Sequence, residues 1–242
     1  MELQRYVSPD LTHFVGRSSR NAEARFTLLK KIIRGGLLQA RPRPSDPSLR
    51  NIVMFAKYVG SPLSSNDAYE MSMVCFCDIP LADLHLHMKK YGPFGIAFRK
   101  NFLATQGATP VMYVPQFGRP SIIHFRDVDA NKPPKHGVAS QAVIFNRFGQ
   151  YLNKLHERIS SSDDPSLIAD WTKMSSFLEG AILSHFKFFD HRLQDDHLDN
   201  FYMEREWRSA NDVRFSMEDI QRIVIPSRFA GRLRKAFRNY EV

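Results

Sequence analysis

The sequence has few of the features that mark a disulfide scaffold or a membrane protein. It contains two cysteines in 242 residues, Cys75 and Cys77, and two cysteines this close on one strand do not pair easily with each other. The absence of a disulfide framework fits a reducing cytoplasm. No apolar run approaches the roughly 20 residues that a membrane helix needs, and the first residues form no apolar signal-peptide region. We therefore expect a cytoplasmic protein without a membrane partner.

Common phosphate-binding, hydrolase and metal motifs are also missing. The glycines at Gly92 and Gly95 lack the lysine and the spacing of a Walker loop, and no Gly-x-Ser-x-Gly elbow occurs. Cys75 and Cys77 followed by His85 and His87 do not have the usual spacing of zinc ligands. The sequence therefore predicts no metal site.

The composition is that of a globular protein with a strong positive charge. Apolar residues make up 43% of the chain, and 19 phenylalanines against two tryptophans indicate a substantial core. The net charge is +9, and the stretch from Arg222 to Arg238 carries no acidic residue. This charge favours a polyanionic partner, which could be RNA, DNA, a phosphorylated cofactor or an acidic protein. The alternative is a generically basic protein with no such partner.

Hydrophobic periodicity predicts a mixture of short strands and helices. We expect an α+β fold in a single domain, residues 1–242, with a helical insertion at residues 138–190. The predicted strands are 11–15, 37–40, 71–79, 95–98, 110–114, 201–209 and 220–225. The predicted helices are 24–33, 81–90, 138–160, 165–189 and 227–240.

Two carboxylates in the segment Tyr202–Arg208 are the strongest candidates for chemistry. Glu204 and Glu206 lie two residues apart, so on a strand they would project from the same face. A carboxylate beside a ribose stabilises the oxocarbenium-like transition state of N-glycosidic cleavage, a role we predict for Glu206. The alternative is a solvated strand face on which the glutamates pair with arginines such as Arg208.

An early histidine is the second candidate. His13 lies in Leu11–Gly16, which is predicted to form a strand followed by a turn. There a ring nitrogen can hydrogen-bond a ribose hydroxyl. The alternative is a structural histidine at the end of a strand.

Six segments together form a recognisable pattern: Leu11–Gly16, Arg34–Leu38, Val74–Leu81, Tyr91–Ile96, Pro110–Val114 and Glu204–Arg208. In these segments the chain resembles the AbiGi-type abortive-infection proteins of bacterial phage defence. The resemblance implies a role in such defence, and the family carries the label of the antitoxin half of a defence pair.

The order of these elements also resembles an ADP-ribosyltransferase of the DarT-like group. That resemblance implies a split mixed sheet of short strands that binds NAD as substrate. It makes Glu206 catalytic, with Glu204 orienting or deprotonating the acceptor. The residues that it implies for NAD binding are Thr12, His13, Phe14, Cys75, Phe76 and Tyr91.

The leading hypothesis is thus NAD-dependent ADP-ribosyl transfer in anti-phage defence, with nucleic acid as a possible acceptor. One alternative is a catalytically inactive antitoxin or sensor that binds a cognate toxin or antitoxin protein, in which Glu206 would be paired or buried. The other is a metal-dependent nuclease built on Asp195, Asp196, Glu204 and Glu206.

Overall fold

The computed structural model describes residues 8–19, 21–40, 56–58, 62–66, 69–117, 140–194 and 196–237. The α-helices of this part are α1 Ala22–Gly35, α2 Leu84–Tyr91, α3 Lys100–Thr105, α4 Gln141–Ser160, α5 Pro165–Phe177 and α6 Ser227–Ala236. The strands are β1 Asp10–Phe14, β2 Leu37–Leu38, β3 Ala56–Tyr58, β4 Tyr69–Met71, β5 Val74–Cys77, β6 Gly95–Arg99, β7 Thr109–Pro110, β8 Met112–Pro115, β9 Phe186–Phe189, β10 Glu206–Ser209, β11 Val213–Arg214 and β12 Ile220–Val224.

The first helix shows how local sequence sets the ends of an element. The Asn21 side chain accepts a hydrogen bond from the Ala24 backbone N–H (2.8 Å) and so caps the start of α1. Gly36 ends the helix in the left-handed conformation, with φ +56°. The apolar side of α1 is buried through Phe26, Leu29 and Ile33.

A six-stranded sheet forms the centre of the fold. Its order is β12-β6-β1-β5-β10-β7, and each neighbouring pair is antiparallel. The register places Thr12 of β1 and Glu206 of β10 on either side of Cys77 of β5. The strand from the start of the chain and the strand that carries Glu206 therefore share one neighbour.

The two faces of this sheet have different partners. Directly paired residues lie on the same face, and neighbours along a strand alternate. One face packs with α1 and α6 into the main core, through sheet residues that include Leu11, Val74, Phe76, Ile96 and Phe98. The other face carries Cys77 and Phe14, which pack with Ile79 and with Leu84 of α2.

The chain divides into two compact units. One comprises residues 1–55, 71–111 and 203–242 and contains the six-stranded sheet; the other comprises residues 56–70 and 112–202 and contains α4 and α5. In the second unit β8 and β9 pair in parallel. The single domain and the helical insertion at 138–190 stay predictions, although both long helices fall within the predicted insertion.

The predicted α+β class is confirmed, and both antiparallel and parallel pairing occur. Two predicted elements are wrong. The strand predicted at 201–209 begins at Glu206, because Phe201–Glu204 forms a 3-10 turn and Arg205 takes a positive φ of 44°. In the helix predicted at 165–189, the α-helix ends at Phe177 and the chain continues as a π turn, Leu178–Ile182, and a 3-10 turn, Leu183–His185. The last residues, Phe186–Phe189, form a strand that pairs with β8.

Candidate functional site

The residues predicted to bind NAD are distributed over both faces of the sheet. His13 and Phe76 lie on the face of the main core, where their rings meet edge to face at 5.8 Å. Thr12 and Glu206 lie on the opposite face, since both are paired with Cys77. The structure therefore does not bring His13 and Glu206 into one cleft, although their strands have a common neighbour.

His13 is held by the sheet itself. Its Nδ1–H donates a hydrogen bond to the carbonyl oxygen of Cys75 on the neighbouring strand, at 2.9 Å. Burial lowers the pKa of His13, and the hydrogen bond to Cys75 opposes that shift only in part. These contacts favour a neutral imidazole fixed between strands.

Glu206 is neutralised by a residue of its own strand. Arg208 follows two positions later on the same face and donates from Nε to Oε1 (2.9 Å) and from Nη2 to Oε2 (3.1 Å). The side chains are 9% and 5% exposed for Glu206 and Arg208. Bidentate pairing of this kind satisfies both carboxylate oxygens. The pair proposed from the sequence as a surface contact exists, but it is buried.

Glu204 is buried in a second set of contacts. It forms a 2.7 Å ion pair with Lys90 and accepts a hydrogen bond from the hydroxyl of Tyr91. Burial raises the pKa of Tyr91, and the charges of Glu204 and Glu206 raise it further. Tyr91 is therefore a protonated donor to Glu204, and the charge of Glu206 also acts on it. We call Lys90, Tyr91, Glu204, Glu206 and Arg208 the buried polar network.

Helix α2 contributes Lys90 and Tyr91 to this network. Leu84 and His87 are buried, and Tyr91 follows at the spacing of the same helical face. The ring of Tyr91 stacks on Phe14 of β1 at 5.7 Å between centroids. Gly92 ends the helix with φ +93°, and its N–H bonds to the carbonyl of Met88. Stacking on Phe14 and the end of the helix at Gly92 thus fix the position of Tyr91.

The two cysteines differ in environment although they share a strand face. Cys75 is exposed, whereas Cys77 is buried. Burial, followed by the nearby charge of Glu204, raises the pKa of Cys77 to about 12. A thiol with so high a pKa is a poor nucleophile at neutral pH.

The network contains one residue that the sequence did not single out, Lys90. Lys90 is 114 positions from its partner Glu204, and no local pattern links the two. The contact of Arg208 with Glu206 could be predicted from the sequence, because residues two positions apart on a strand lie on the same face. In the described residues no three histidine, cysteine or acidic side chains are grouped to hold a metal ion. Asp195 of the nuclease alternative lies outside the described residues.

Comparison with known protein families assigns the chain to one of them. Residues 65–240 match the model of the family described as "Putative abortive phage resistance protein AbiGi, antitoxin". This match covers more than half of the chain, and the chain therefore belongs to the AbiGi family. Of the segments quoted for the resemblance, Leu11–Gly16 and Arg34–Leu38 fall outside the matched range.

Family membership supports a role in anti-phage defence. No curated protein and no solved structure matches the chain. Within the described residues, no helix has the length and apolar character needed to cross a membrane.

Proposed function

We propose that this chain is an antitoxin-type component of an abortive-infection system, which acts by binding a partner toxin and not by turning over NAD. The observation that carries the proposal is the buried pair of Glu206 and Arg208. The family description, which includes the word antitoxin, supports it independently.

The charge of Glu206 is already compensated. A carboxylate stabilises an oxocarbenium ion best when it meets the ribose directly in a preorganised site. Here Arg208 occupies both carboxylate oxygens of Glu206. Release of Arg208 would break a bidentate ion pair in a buried setting, which is unfavourable.

The remaining contacts give the buried polar network a structural role. Lys90 and Tyr91 of α2 bind Glu204, which lies just before β10. The network therefore ties α2 to the sheet strand that carries Glu206. A rigid scaffold of this kind suits a protein whose task is to present a surface to a partner.

Co-expression with the toxin of the same defence system tests the proposal. We expect the wild type to restore growth and to co-purify with the toxin, with cellular NAD unchanged. Glu206→Gln, which keeps a side-chain oxygen to accept from Arg208, and the exposed-residue control Glu218→Gln should both retain neutralisation, with circular dichroism confirming that each variant is folded. Growth arrest by the wild type alone, with loss of NAD that Glu206→Gln abolishes, would overturn it.

A second candidate is ADP-ribosyl transfer with NAD as the substrate, in which a nucleic acid or protein is the acceptor. The register that aligns Thr12, Cys77 and Glu206 across three neighbouring strands favours it. This candidate requires Glu206 to exchange Arg208 for substrate. Equilibrium dialysis with NAD separates the two, since the antitoxin proposal expects no binding.

A further inference from the structure

Two helices on the core side of the sheet concentrate the positive charge of the chain. α1 and α6 pack against each other through Phe26 and Phe229, whose ring centroids are 4.8 Å apart. Together the two helices contain eight basic residues and one acidic residue, Glu23. The net charge of the whole chain is +9, so most of the excess resides in this helix pair.

The basic side chains form two adjacent stripes. On α6, Arg228, Arg232 and Lys235 recur at positions i, i+4 and i+7, which share one helical face. On α1, Lys30 and Arg34 are likewise four residues apart. We call these five residues the basic ridge.

Contacts between the helices show that the stripes meet. The Lys30 Nζ and the Arg232 guanidinium carbon each lie 4.8 Å from the ring centre of Phe26. Further along, the Arg34 guanidinium lies 5.7 Å from the ring centre of Phe237, just after the last turn of α6. The basic ridge is therefore continuous across both helices.

The charge of the ridge is mostly uncompensated within the helix pair. Glu23 forms a bidentate contact with Arg232, at 2.7 and 2.9 Å. It is the single acid of the two helices, and its charge also acts on Arg228 and Lys30. One carboxylate therefore faces eight cations of the helix pair. Arg228 and Lys235 are both exposed.

The side chains of the basic ridge indicate which kind of polyanion it binds. A protein interface needs exposed apolar anchors at its centre, and a single-strand site needs exposed aromatic rings for base stacking. None of the exposed large apolar side chains of the described residues is on α1 or α6, and Phe26, Phe229 and Phe237 are buried. What the ridge offers is guanidinium and ammonium groups, which bind phosphates.

We infer that the basic ridge binds the phosphate backbone of a nucleic-acid duplex, without sequence preference. This inference concerns a surface other than the buried polar network and does not depend on the proposed function. With ten residues, α6 spans about 15 Å, along which one duplex strand presents about four phosphates. Four contacts give a slope of log affinity against log salt of about −4.

The test is the fluorescence anisotropy of a labelled 20-base-pair duplex titrated with the full chain at several salt concentrations. The variant Arg228→Glu/Lys235→Glu should lose at least about tenfold in affinity, and its salt slope should become shallower by about two. The matched control is Lys154→Glu/Arg158→Glu on α4, which reverses the same number of exposed charges. It should stay within about twofold of the wild type. Circular dichroism confirms that both variants fold.

Three results would overturn the inference. Equal losses in both variants would mean that only net charge matters. Unchanged binding of the ridge variant would place the contact elsewhere. Stronger competition by poly-glutamate or by single-stranded DNA than by unlabelled duplex, at equal charge, would assign the ridge to an acidic protein or to single strands. DNA and RNA duplexes used in parallel identify the preferred backbone.

Discussion

Glu206 and Arg208 lie two residues apart on one strand and form a buried bidentate ion pair, with donor–acceptor distances of 2.9 and 3.1 Å. This ion pair bears on which of two roles Glu206 has, a catalytic or a structural one. In an NAD-cleaving site its charge would be available to the ribose, whereas here it is used to hold the fold.

Removal of the arginine should destabilise the protein. Arg208→Met removes the buried bidentate contact to the Glu206 carboxylate, and we expect the free energy of unfolding to fall by about 3–5 kcal/mol. Urea unfolding followed by circular dichroism measures the change. The double variant Glu206→Leu/Arg208→Met should recover most of the loss, because it removes both charges of the pair. A loss below about 1 kcal/mol in the single variant would show that the pair is not buried in solution.

The raised pKa of Tyr91 predicts a dependence of stability on alkaline pH. Burial, Glu204 and Glu206 make folded Tyr91 hold its proton more tightly than the unfolded chain does, where the pKa is about 10. Its contribution is therefore complete below about pH 10 and is lost as the pH rises further. Urea unfolding between about pH 9 and 11 should show a smaller decline for Tyr91→Phe than for the wild type. Tyr151→Phe, at an exposed position of α4, should decline as the wild type does.

The two thiols should differ in reactivity. In the native protein at neutral pH, a thiol reagent such as Ellman's should titrate Cys75, which is exposed, and leave Cys77, whose pKa is raised to about 12, unmodified. One equivalent should react before denaturation and two afterwards. Cys75→Ser should reduce the native count to none. Rapid reaction of both native thiols would contradict the burial of Cys77.

Neighbouring glycines at the end of α1 should respond to alanine in opposite directions. An added Cβ at Gly36 would lie 2.4 Å from the carbonyl oxygen of Phe215, and φ is +56° there. Gly36→Ala should therefore cost more than about 1 kcal/mol of stability. At Gly35, which is helical with nothing within 4 Å of an added Cβ, alanine should gain about 0.5–1 kcal/mol. Thermal or urea unfolding of the pair compares them directly, and equal effects would contradict the assigned cap.

Local signals were sufficient for part of the fold. Periodicity and capping residues predict the first helix with the glycine that ends it, and the strand at residues 95–99. They also predict that helical and extended segments alternate along the chain. The strand Phe186–Phe189 was missed because its apolar run continues a helical pattern. Its partner, β8, lies about 70 residues earlier in the chain, so only long-range pairing makes it a strand.

The candidate site was less predictable, for a geometric reason. Alternation along a strand correctly relates Glu206 to Arg208, but the positive φ of Arg205 interrupts the pattern that would have placed Glu204 on the same strand. Which face each strand presents depends on the register of β1, β5 and β10 together. Sequence alone could propose His13 and Glu206 as a pair, but it could not show that the sheet separates them.

The most direct test of the proposed function is the release of nicotinamide from NAD by the purified wild type, measured beside Glu206→Gln in extract from phage-infected cells. With Glu206 engaged by Arg208, we predict no release above background for either protein. Release by the wild type that Glu206→Gln abolishes would contradict the account and make Glu206 a catalytic residue.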